Sequence, residues 1–384
     1  MKKSQEKFNI LHIDPLGQGV SKSEDEIFFV HNTLEGENGI ADVDGQKKGI
    51  LFGHLKSEDE LISKSEKRIT PECPHFFSCN GCHYLHTTYE NEINIKLDSI
   101  KRSISLYERK TNKIFNHEKL FSHAADERFF SRNRIQLHYD LSKKKMGLIG
   151  HKKNQLIEIP HCLLASKEIS KQIKILYQNN HWISLIPKGS NKQGHLEIKF
   201  NNNEIDLIFN HPYSHGGFTQ VNEKMNEILK SIIKNSAEEN FQDSDIIFDL
   251  FGGSGNLSKN LKKKPCIVID SYAEGMLVDR DGHQEFKKQN LYANDAPEII
   301  FKMLKKYNRP GIILDPPRSG LKNINDFFGK ADNIDKIIYV SCNPATLFRD
   351  IAELKNFSLE ELHLVDLFPC TYHFETVCIL KKDG

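Results

Sequence analysis

Four short apolar runs near the C-terminus, each followed by a polar residue or a turn, limit the fold of this chain more than any other feature. The runs are Ile246–Leu250, Cys266–Ile269, Ile312–Leu314 and Ile337–Val340. Their length and β-branched residues are typical of strands that are buried on both faces of a parallel sheet. Open α/β sheets bind ligands at the carboxyl ends of their strands, so the runs predict an α/β domain with a ligand cleft along one edge.

The residues that follow these runs suit a cofactor that contains a nucleoside. The first run enters the glycine-rich turn Phe251–Asn256, whose glycines let the backbone approach a ligand, and a helix is predicted after the turn. Asp270 follows the second run, where a carboxylate can bind ribose hydroxyls. Asn290 and Asp315 add polar groups to the same cleft. No Gly-Lys-Ser/Thr follows the turn, so the pattern does not indicate nucleotide hydrolysis.

Cys342 follows the fourth run, in a turn ahead of a helix that is predicted to begin near Ala345. A cysteine in this place is either a small buried hydrophobic residue or an exposed nucleophile. The Asn-Pro sequence next to it favours an exposed position, and the polar groups of the cleft favour a nucleophile.

Length and composition are those of an ordinary cytoplasmic protein with two or three domains. The chain has 384 residues, of which 38% are hydrophobic, and domains usually contain about 100–200 residues. No apolar run approaches the ~20 residues that cross a bilayer, and no signal peptide is recognisable. The formal charge is +1, so binding to nucleic acid would depend on local basic patches. We expect a monomer that does not associate with membranes.

The N-terminal part is predicted to be a small β-barrel. Short strands, such as Phe8–Ile13 and Ile27–His31, alternate with glycine-containing turns up to about Gly53. A charged, serine-rich stretch at 56–67 then has the composition of a linker. The pattern does not distinguish a barrel that binds oligonucleotides from one that only packs.

A cluster of cysteines follows this stretch. Cys73, Cys79 and Cys82 lie within ten positions, and Cys162 is the nearest candidate for a fourth ligand. Eight cysteines in a reducing compartment indicate metal binding or catalysis. The spacing fits an iron–sulfur cluster at least as well as zinc. A mixed zinc site remains open through four histidines: His75, His83, His86 and His161. Four unrelated buried cysteines are the remaining alternative.

A basic and aromatic stretch offers a candidate contact with RNA. Arg128, Arg132 and Arg134 alternate with aromatic residues ahead of an alternating strand. Arginines contact phosphates and aromatic rings stack on unpaired bases. A solvated strand edge has the same pattern, so the residues alone leave both interpretations open. The preceding stretch, Tyr89–Leu106, has the spacing of an amphipathic helix.

Together, these motifs resemble those of the RNA (uracil-5-)-methyltransferases, which use S-adenosylmethionine to make 5-methyluridine in ribosomal and transfer RNA. The resemblance covers nearly the whole chain. It is carried by CPHFFSCNGC with Cys162, FTQVN, DLFGGSGN, LDPPRSG, SCNPAT and FPCTYHFE. The chain is most similar to the branch that acts on 23S ribosomal RNA and has a TRAM-type barrel and a 4Fe–4S cluster.

The resemblance implies an α/β fold with three domains. Residues 1–62 would form a TRAM-like (OB-like) β-barrel and residues 63–212 a central α+β iron–sulfur domain. Residues 213–384 would form a Rossmann-like class I methyltransferase domain. A helix at 88–106 would pack on the catalytic domain.

The resemblance also assigns functions to single residues. Cys342 would be the nucleophile and Glu375 the base. The 4Fe–4S cluster would be held by Cys73, Cys79, Cys82 and Cys162. S-adenosylmethionine would be bound by Gln220, Phe251, Gly253, Asn256, Asp270, Asn290 and Asp315. These functions suit the chemistry, because carbon 5 of uracil attacks a methyl group only after a thiolate has added to carbon 6, and a base must then remove the proton at carbon 5.

Two departures from the family pattern are visible. Gly252 replaces the cysteine that is usual in the glycine-rich turn, and the stretch Ser271–Lys288 is shorter than its counterpart in relatives. Two other functional classes therefore remain open. One is methylation of cytosine carbon 5 or of a guanine nitrogen, or of transfer RNA in place of ribosomal RNA. The other is a non-catalytic RNA-binding or redox-sensing iron–sulfur protein.

Overall fold

The computed structural model describes residues 5–23, 26–151, 155–211, 220–271 and 282–384. The chain divides into two compact units, each built from separate stretches of sequence. Unit 1 comprises Met1–Ser99, Ala125–Glu223 and Phe368–Tyr372, and unit 2 comprises Ile100–Ala124, Lys224–Leu367 and His373–Gly384. The division into three domains at residues 62 and 212 stays a prediction.

The predicted N-terminal barrel is confirmed. Its strands pair in the order β1-β2-β3-β5-β4, and β4 pairs again with β1, which closes the sheet. Alternate residues, among them Phe8, Ile10, Phe28 and Val30, fill the interior. The strands are β1 (Gln5–Ile13), β2 (Gly19–Lys22), β3 (Ile27–His31), β4 (Asn38–Lys47) and β5 (Ile50–His54), with β6 (Leu61–Ser63) paired to β4.

The rest of unit 1 is an antiparallel sheet with helices. The strand order is β10-β9-β8-β11-β12, and the apolar faces of β8 and β11 share one core with Ile169, Ile173 and Trp182 of the helices. The elements are β8 (Arg134–Asp140), β9 (Lys145–Ile149), β10 (Leu156–Ile157), β11 (Gln193–Asn201), β12 (Glu204–Phe209), α2 (Lys167–Tyr177) and α3 (His181–Leu185). Helix α1 (Tyr89–Thr111) extends five residues beyond its predicted end, and its residues divide between the two units.

Unit 2 contains the predicted parallel sheet. The order is β15-β14-β13-β16-β17-β19-β18-β7, and the first five strands are parallel while β19 runs antiparallel to both of its neighbours. Strands β13 and β16 are buried along their whole length. The strands are β7 (Leu120–His123), β13 (Ile246–Leu250), β14 (Cys266–Asp270), β15 (Gln284–Lys288), β16 (Pro310–Leu314), β17 (Lys336–Ser341), β18 (Phe357–Val365) and β19 (Glu375–Lys382). The helices are α4 (Glu223–Asn240), α5 (Ala296–Leu304), α6 (Ile324–Phe328) and α7 (Pro344–Glu353).

Some sequence-based expectations fail or fall outside the described residues. The helix expected after the glycine-rich turn is wrong, because residues 253–260 form hydrogen-bonded turns. Most of the short stretch Ser271–Lys288, namely 272–281, lies outside the described residues. Among the helices that are described, none is long and apolar enough to cross a membrane.

Candidate active site

Cys342 lies in the turn between β17 and α7, as the sequence predicted. Asn343 caps the helix, because its side-chain oxygen accepts a hydrogen bond from the Ala345 N–H at 3.2 Å, and Pro344 occupies the first helical position. The Asn343 side-chain amide donates to the Arg318 carbonyl at 3.2 Å. This turn is therefore tied to the turn after β16, and Cys342 within it is half-buried.

The electrostatics around Cys342 oppose ionisation of the thiol. Burial raises its pKa to about 12, and the Glu375 and Asp315 carboxylates act in the same direction. The Arg318 guanidinium opposes them through its charge and a hydrogen bond. Arg318 also contacts His373: its Nη2 atom lies 3.4 Å from His373 Nε2.

Glu375 lies at the start of β19, beside Cys342. The antiparallel register pairs Ser341 with Thr376, which brings the beginning of β19 next to the end of β17. The side chain is buried, and burial together with the Asp315 carboxylate raises its pKa well above the usual value, while Arg318 acts in the opposite direction. A carboxyl group held in this way accepts a proton readily.

The glycine-rich turn follows β13. Phe251 has a φ of +60° and Gly253 a φ of +54°, so the backbone turns sharply away from the strand. The Gly253 N–H donates to Asp270 Oδ2 at 3.1 Å, which joins this turn to the end of β14. The Phe251 ring lies 5.2 Å from the Tyr292 ring between centroids. About half of the Tyr292 surface is exposed. Its hydroxyl forms a hydrogen bond with Ser319 Oγ at 3.0 Å, in which either oxygen can be the donor.

Gly252 departs from the family pattern for a steric reason. A Cβ atom at this position would lie 2.7 Å from Asp249 Cγ and 2.7 Å from Val268 Cγ1. Both of these side chains are fully buried. The described packing therefore accepts only glycine here, and the departure does not open a gap in the turn.

Two acids near this turn, Asp249 and Asp315, hold protons more tightly than usual. Burial raises the pKa of Asp249 to about 6, and the Asp270 carboxylate adds to the shift, while Ser258 donates a hydrogen bond that opposes it. Burial and the Asp249 and Asp270 carboxylates raise the pKa of Asp315 to about 8. Sequence reasoning missed Asp249, although an acid inside an otherwise apolar strand was a signal that could have identified it. Tyr292 was also missed, and no local pattern marks it.

The remaining predicted cofactor residues differ in their surroundings. Asn256 is paired with Asn226 of α4, its side-chain N–H donating at 3.1 Å. Asn290 is exposed, and its Oδ1 accepts from the Tyr292 N–H at 3.0 Å. Gln220 belongs to unit 1, where its Oε1 is buried without a hydrogen-bond partner among the described residues. Their functions stay predictions.

The four clustered cysteines of unit 1 line one cavity of about 190 Å³: Cys73, Cys79, Cys82 and Cys162. Arg132 and His161 also line it. Within the described ranges, no three potential ligands lie close enough together to hold a single metal ion. Burial raises the pKa of the Cys79 thiol to about 11. The structure therefore gathers the predicted cysteines around a space without forming a mononuclear site.

The three arginines of the candidate RNA contact are not equally available. Arg134 is fully buried and pairs with Glu197 at 2.8 Å, which does not fit a contact with RNA. Arg128 donates to the Tyr84 carbonyl at 2.6 Å and pairs with Glu92. Arg132 is half-buried at the cysteine cavity. Hence contact with RNA at this stretch stays a prediction, and Arg134 offers it no free charge.

Residues 298–383 match the model of the family described as tRNA (Uracil-5-)-methyltransferase. This segment contains both Cys342 and Glu375. The chain is related to the RNA (uracil-5-)-methyltransferases.

The relatives and a solved structure extend over nearly the whole chain. The 23S rRNA (uracil(1939)-C(5))-methyltransferase RlmD of Aliivibrio fischeri is 24% identical, with 97% of this chain and 95% of that protein aligned. An RNA methyltransferase of Nitrosomonas europaea is 25% identical over 97% of this chain and 96% of its own length. The crystal structure of the Pyrococcus abyssi tRNA (uracil-54, C5)-methyltransferase with S-adenosyl-L-homocysteine has a TM-score of 0.71 at 19% identity, covering 97% of this chain and 99% of that one. The family resemblance and the class I methyltransferase fold predicted from the motifs are confirmed.

Proposed function

We propose that this protein uses S-adenosylmethionine to methylate carbon 5 of a uridine in RNA, with 23S ribosomal RNA as the substrate. The single observation that carries the proposal is the grouping of Cys342, Glu375, Arg318 and Asp315 at adjoining strand ends. A thiol, a carboxyl group of high pKa and a cation are the groups that addition to carbon 6 and removal of the carbon 5 proton require.

Each of these side chains has a step in the proposed reaction. Cys342 adds as the thiolate to carbon 6 of the uracil, and the carbon 5 of the resulting enolate takes the methyl group. Glu375 then removes the proton from carbon 5, and Cys342 leaves as the thiolate. Arg318 favours the thiolate, because it is the neighbour that lowers the thiol pKa. The raised pKa of Glu375 makes its ionised form a stronger base for the proton transfer.

The cofactor supplies the methyl group, and residues of the glycine-rich turn are proposed to hold it. Gly253 has φ +54°, and a Cβ atom at this position would meet no heavy atom within 4 Å, so its backbone is open to a ligand. Asp270 suits the ribose hydroxyls, and the Phe251–Tyr292 ring pair suits the adenine. We also include Asn256, Asn290 and Gln220 among the proposed cofactor-binding residues, on the basis of the family resemblance alone.

We also propose that Cys73, Cys79, Cys82 and Cys162 hold a 4Fe–4S cluster. Four thiols around a cavity of about 190 Å³ suit a polynuclear cluster, which fills the space between its cysteines. They suit one zinc ion less well, since its ligands must converge to about 2.3 Å from a single point. Bound there, the cluster would cross-link the stretch 73–82 to Cys162. Burial raises the pKa of Cys79 and of Cys82, and the charge of Arg132 opposes this rise and so favours the ionised thiols.

The relatives' substrates favour RNA over other substrates. The Aliivibrio fischeri relative is named for 23S rRNA, and the structural relative for tRNA. The bacterial relatives share more of their sequence with this chain, so ribosomal RNA is the first substrate to test and transfer RNA the alternative.

The decisive experiment measures 5-methyluridine by mass spectrometry in 23S rRNA and tRNA from cells that lack the protein, after incubation with the pure chain and S-adenosylmethionine. We expect methylation by the wild type and a loss of at least about a thousandfold in Cys342→Ser, because the nucleophile is removed. Cys266→Ala, at a buried cysteine of β14, is the matched control and should retain activity. Full activity of Cys342→Ser would instead favour methylation of an exocyclic nitrogen, which needs no thiol.

A further inference from the structure

Three acids of unit 2 lie at the ends of neighbouring strands. Asp249 is near the end of β13, Asp270 ends β14 and Asp315 directly follows β16, and β13 pairs with both of the other strands. The Asp315 N–H donates to the Leu250 carbonyl at 3.1 Å, which keeps its backbone beside β13. The Asp270 carboxylate raises the pKa of Asp249, and the Asp249 and Asp270 carboxylates raise the pKa of Asp315. The three therefore form one compact acidic cluster.

An unpartnered oxygen points from this cluster toward the glycine-rich turn. Asp249 is 0% exposed, and its Oδ2 accepts from Ser258 Oγ at 2.5 Å. Its Oδ1 is buried and has no hydrogen-bond partner among the described residues. A Cβ on Gly252 would lie 2.9 Å from this oxygen, so the oxygen packs against the glycine-rich turn that is proposed to hold the cofactor. Leaving such an atom unpaired costs about 1–3 kcal/mol, which a donor or a nearby positive charge would offset.

Among the described residues, none of the groups that act most strongly on Asp249 and Asp315 is a cation. The groups that act on Asp249 and Asp315 are burial, Ser258 and the other carboxylates. Arg318 acts on Cys342 and Glu375. A bound cation or protons would supply the positive charge that the described residues do not provide to Asp249 and Asp315.

We propose that this acidic cluster recognises the positive charge of the methyl donor: the free protein holds a proton there and releases it when the cationic cofactor binds. The proposal rests on the proposed function and adds a basis for preferring donor over product. S-adenosylmethionine carries a sulfonium charge that S-adenosylhomocysteine lacks, and both carry the same amino and carboxylate groups. Carboxylates near the sulfonium favour the donor and let the neutral product leave.

The direction of the pH dependence follows from the two acids. At pH 7 the free protein holds Asp315 mostly protonated, because its pKa is raised to about 8, whereas Asp249, with a pKa of about 6, is mostly ionised. A cation next to the cluster lowers both pKa values, so binding at pH 7 releases up to about one proton. Affinity for S-adenosylmethionine therefore rises with pH, by at most about tenfold per unit, until Asp315 is ionised in the free protein.

The experiment is calorimetry of the full chain with three ligands in two buffers of different ionisation enthalpy, between pH 6 and pH 9. The ligands are S-adenosylmethionine, S-adenosylhomocysteine and sinefungin, which carries an amine in place of the sulfonium. We expect proton release with the two cationic ligands at pH 7, clearly less with S-adenosylhomocysteine, and a donor-to-product affinity ratio that rises at least threefold from pH 6 to pH 8.

Variants locate the effect. Asp315→Asn should abolish most of the proton release, and Asp249→Asn, which keeps the size of the side chain, should lower the donor-to-product ratio. Asp243→Asn, at an exposed acid of the same unit, is the control and should leave both quantities unchanged. Equal proton release with all three ligands, or none, in a protein that binds S-adenosylmethionine would overturn this inference alone. Failure of the folded protein to bind the donor at all would overturn the proposed function as well.

Discussion

At the scale of single residues, Gly252 shows how a departure from a family pattern can be structural. The fully buried side chains of Asp249 and Val268 leave no room for a Cβ atom at this position. In this chain the neighbours of Gly252 leave space for a glycine only. The presence of glycine at position 252 is explained by the packing of β13 and β14, and it does not indicate that a catalytic group has been lost.

This packing leads to a prediction for Gly252→Cys. Overpacking of a buried site costs about 1–3 kcal/mol, so the thermal midpoint of unfolding should fall by several degrees, as measured by circular dichroism. Gly45→Ala is the control, because a Cβ there meets no atom within 4 Å and the backbone is not left-handed. Equal midpoints for wild type and Gly252→Cys would show that Val268 and Asp249 move aside freely.

Residues differ in how far the sequence could predict them. Cys342 was predictable from local pattern, because a buried run, a polar turn and a helix start are all adjacent to it. Glu375 was not, since its place beside Cys342 depends on the pairing of β19 with β17, and only the family resemblance identified it. An acid inside an apolar run marked Asp249 in the sequence, but its raised pKa depends on burial in the folded sheet, which the local pattern does not show.

At the scale of secondary-structure elements, capping explains why one helix prediction succeeded and another failed. Asn343 and Pro344 begin α7 as their types require. After the glycine-rich turn, side chains bind the backbone instead: Gln284 donates to the Gly255 carbonyl at 2.9 Å and to Ser258 Oγ at 2.8 Å. A carbonyl used in this way is drawn away from a helical hydrogen bond. The competing side chain comes from β15, almost thirty residues later, so no local pattern could have revealed it.

The α7 cap supports a second prediction. Asn343→Ala removes the hydrogen bond to the Ala345 N–H and the tie to the Arg318 carbonyl. Loss of an N-cap costs about 1 kcal/mol, and the loosened turn should also slow covalent adduct formation between Cys342 and RNA that contains 5-fluorouridine. Both effects are measurable, by thermal unfolding and by gel electrophoresis of the adduct.

Asn323→Ala provides a matched control for this cap. Asn323 precedes α6 but makes no side-chain capping hydrogen bond, so its removal should change neither the midpoint nor the adduct rate. A similar loss in both variants would mean that the Asn343 cap contributes nothing specific to the turn that carries Cys342.

At the scale of the whole molecule, the chain order is a poor guide to its compact units. Unit 1 includes Phe368–Tyr372, a short segment far from its other parts in sequence, and unit 2 includes Ile100–Ala124. The barrel and the parallel sheet were predictable, because their strands are local patterns with regular turns. The assignment of these distant segments depends on long-range contacts, which composition and periodicity do not contain.

The cysteine cavity supports the prediction that belongs to this scale. If a cluster cross-links the stretch 73–82 to Cys162, its loss should destabilise unit 1, because a group that binds only the folded state adds its binding free energy to folding. Anaerobically purified wild type should contain iron and sulfide in equal amounts. Cys162→Ser should lose most of the iron and unfold at a midpoint at least about 5 °C lower.

Cys370→Ser is the sharpest control for this ligand set. Cys370 is fully buried and packs in the same apolar cluster as Cys73, Cys82 and Cys162. Its Sγ is the donor to the Arg128 carbonyl at 3.6 Å, a contact that a hydroxyl can also make. It does not line the cavity, so Cys370→Ser should keep its iron. If Cys370→Ser lost its iron and Cys162→Ser kept it, Cys370 would be the fourth ligand in place of Cys162. If wild type purified without oxygen contained no iron, the proposed cluster would be refuted.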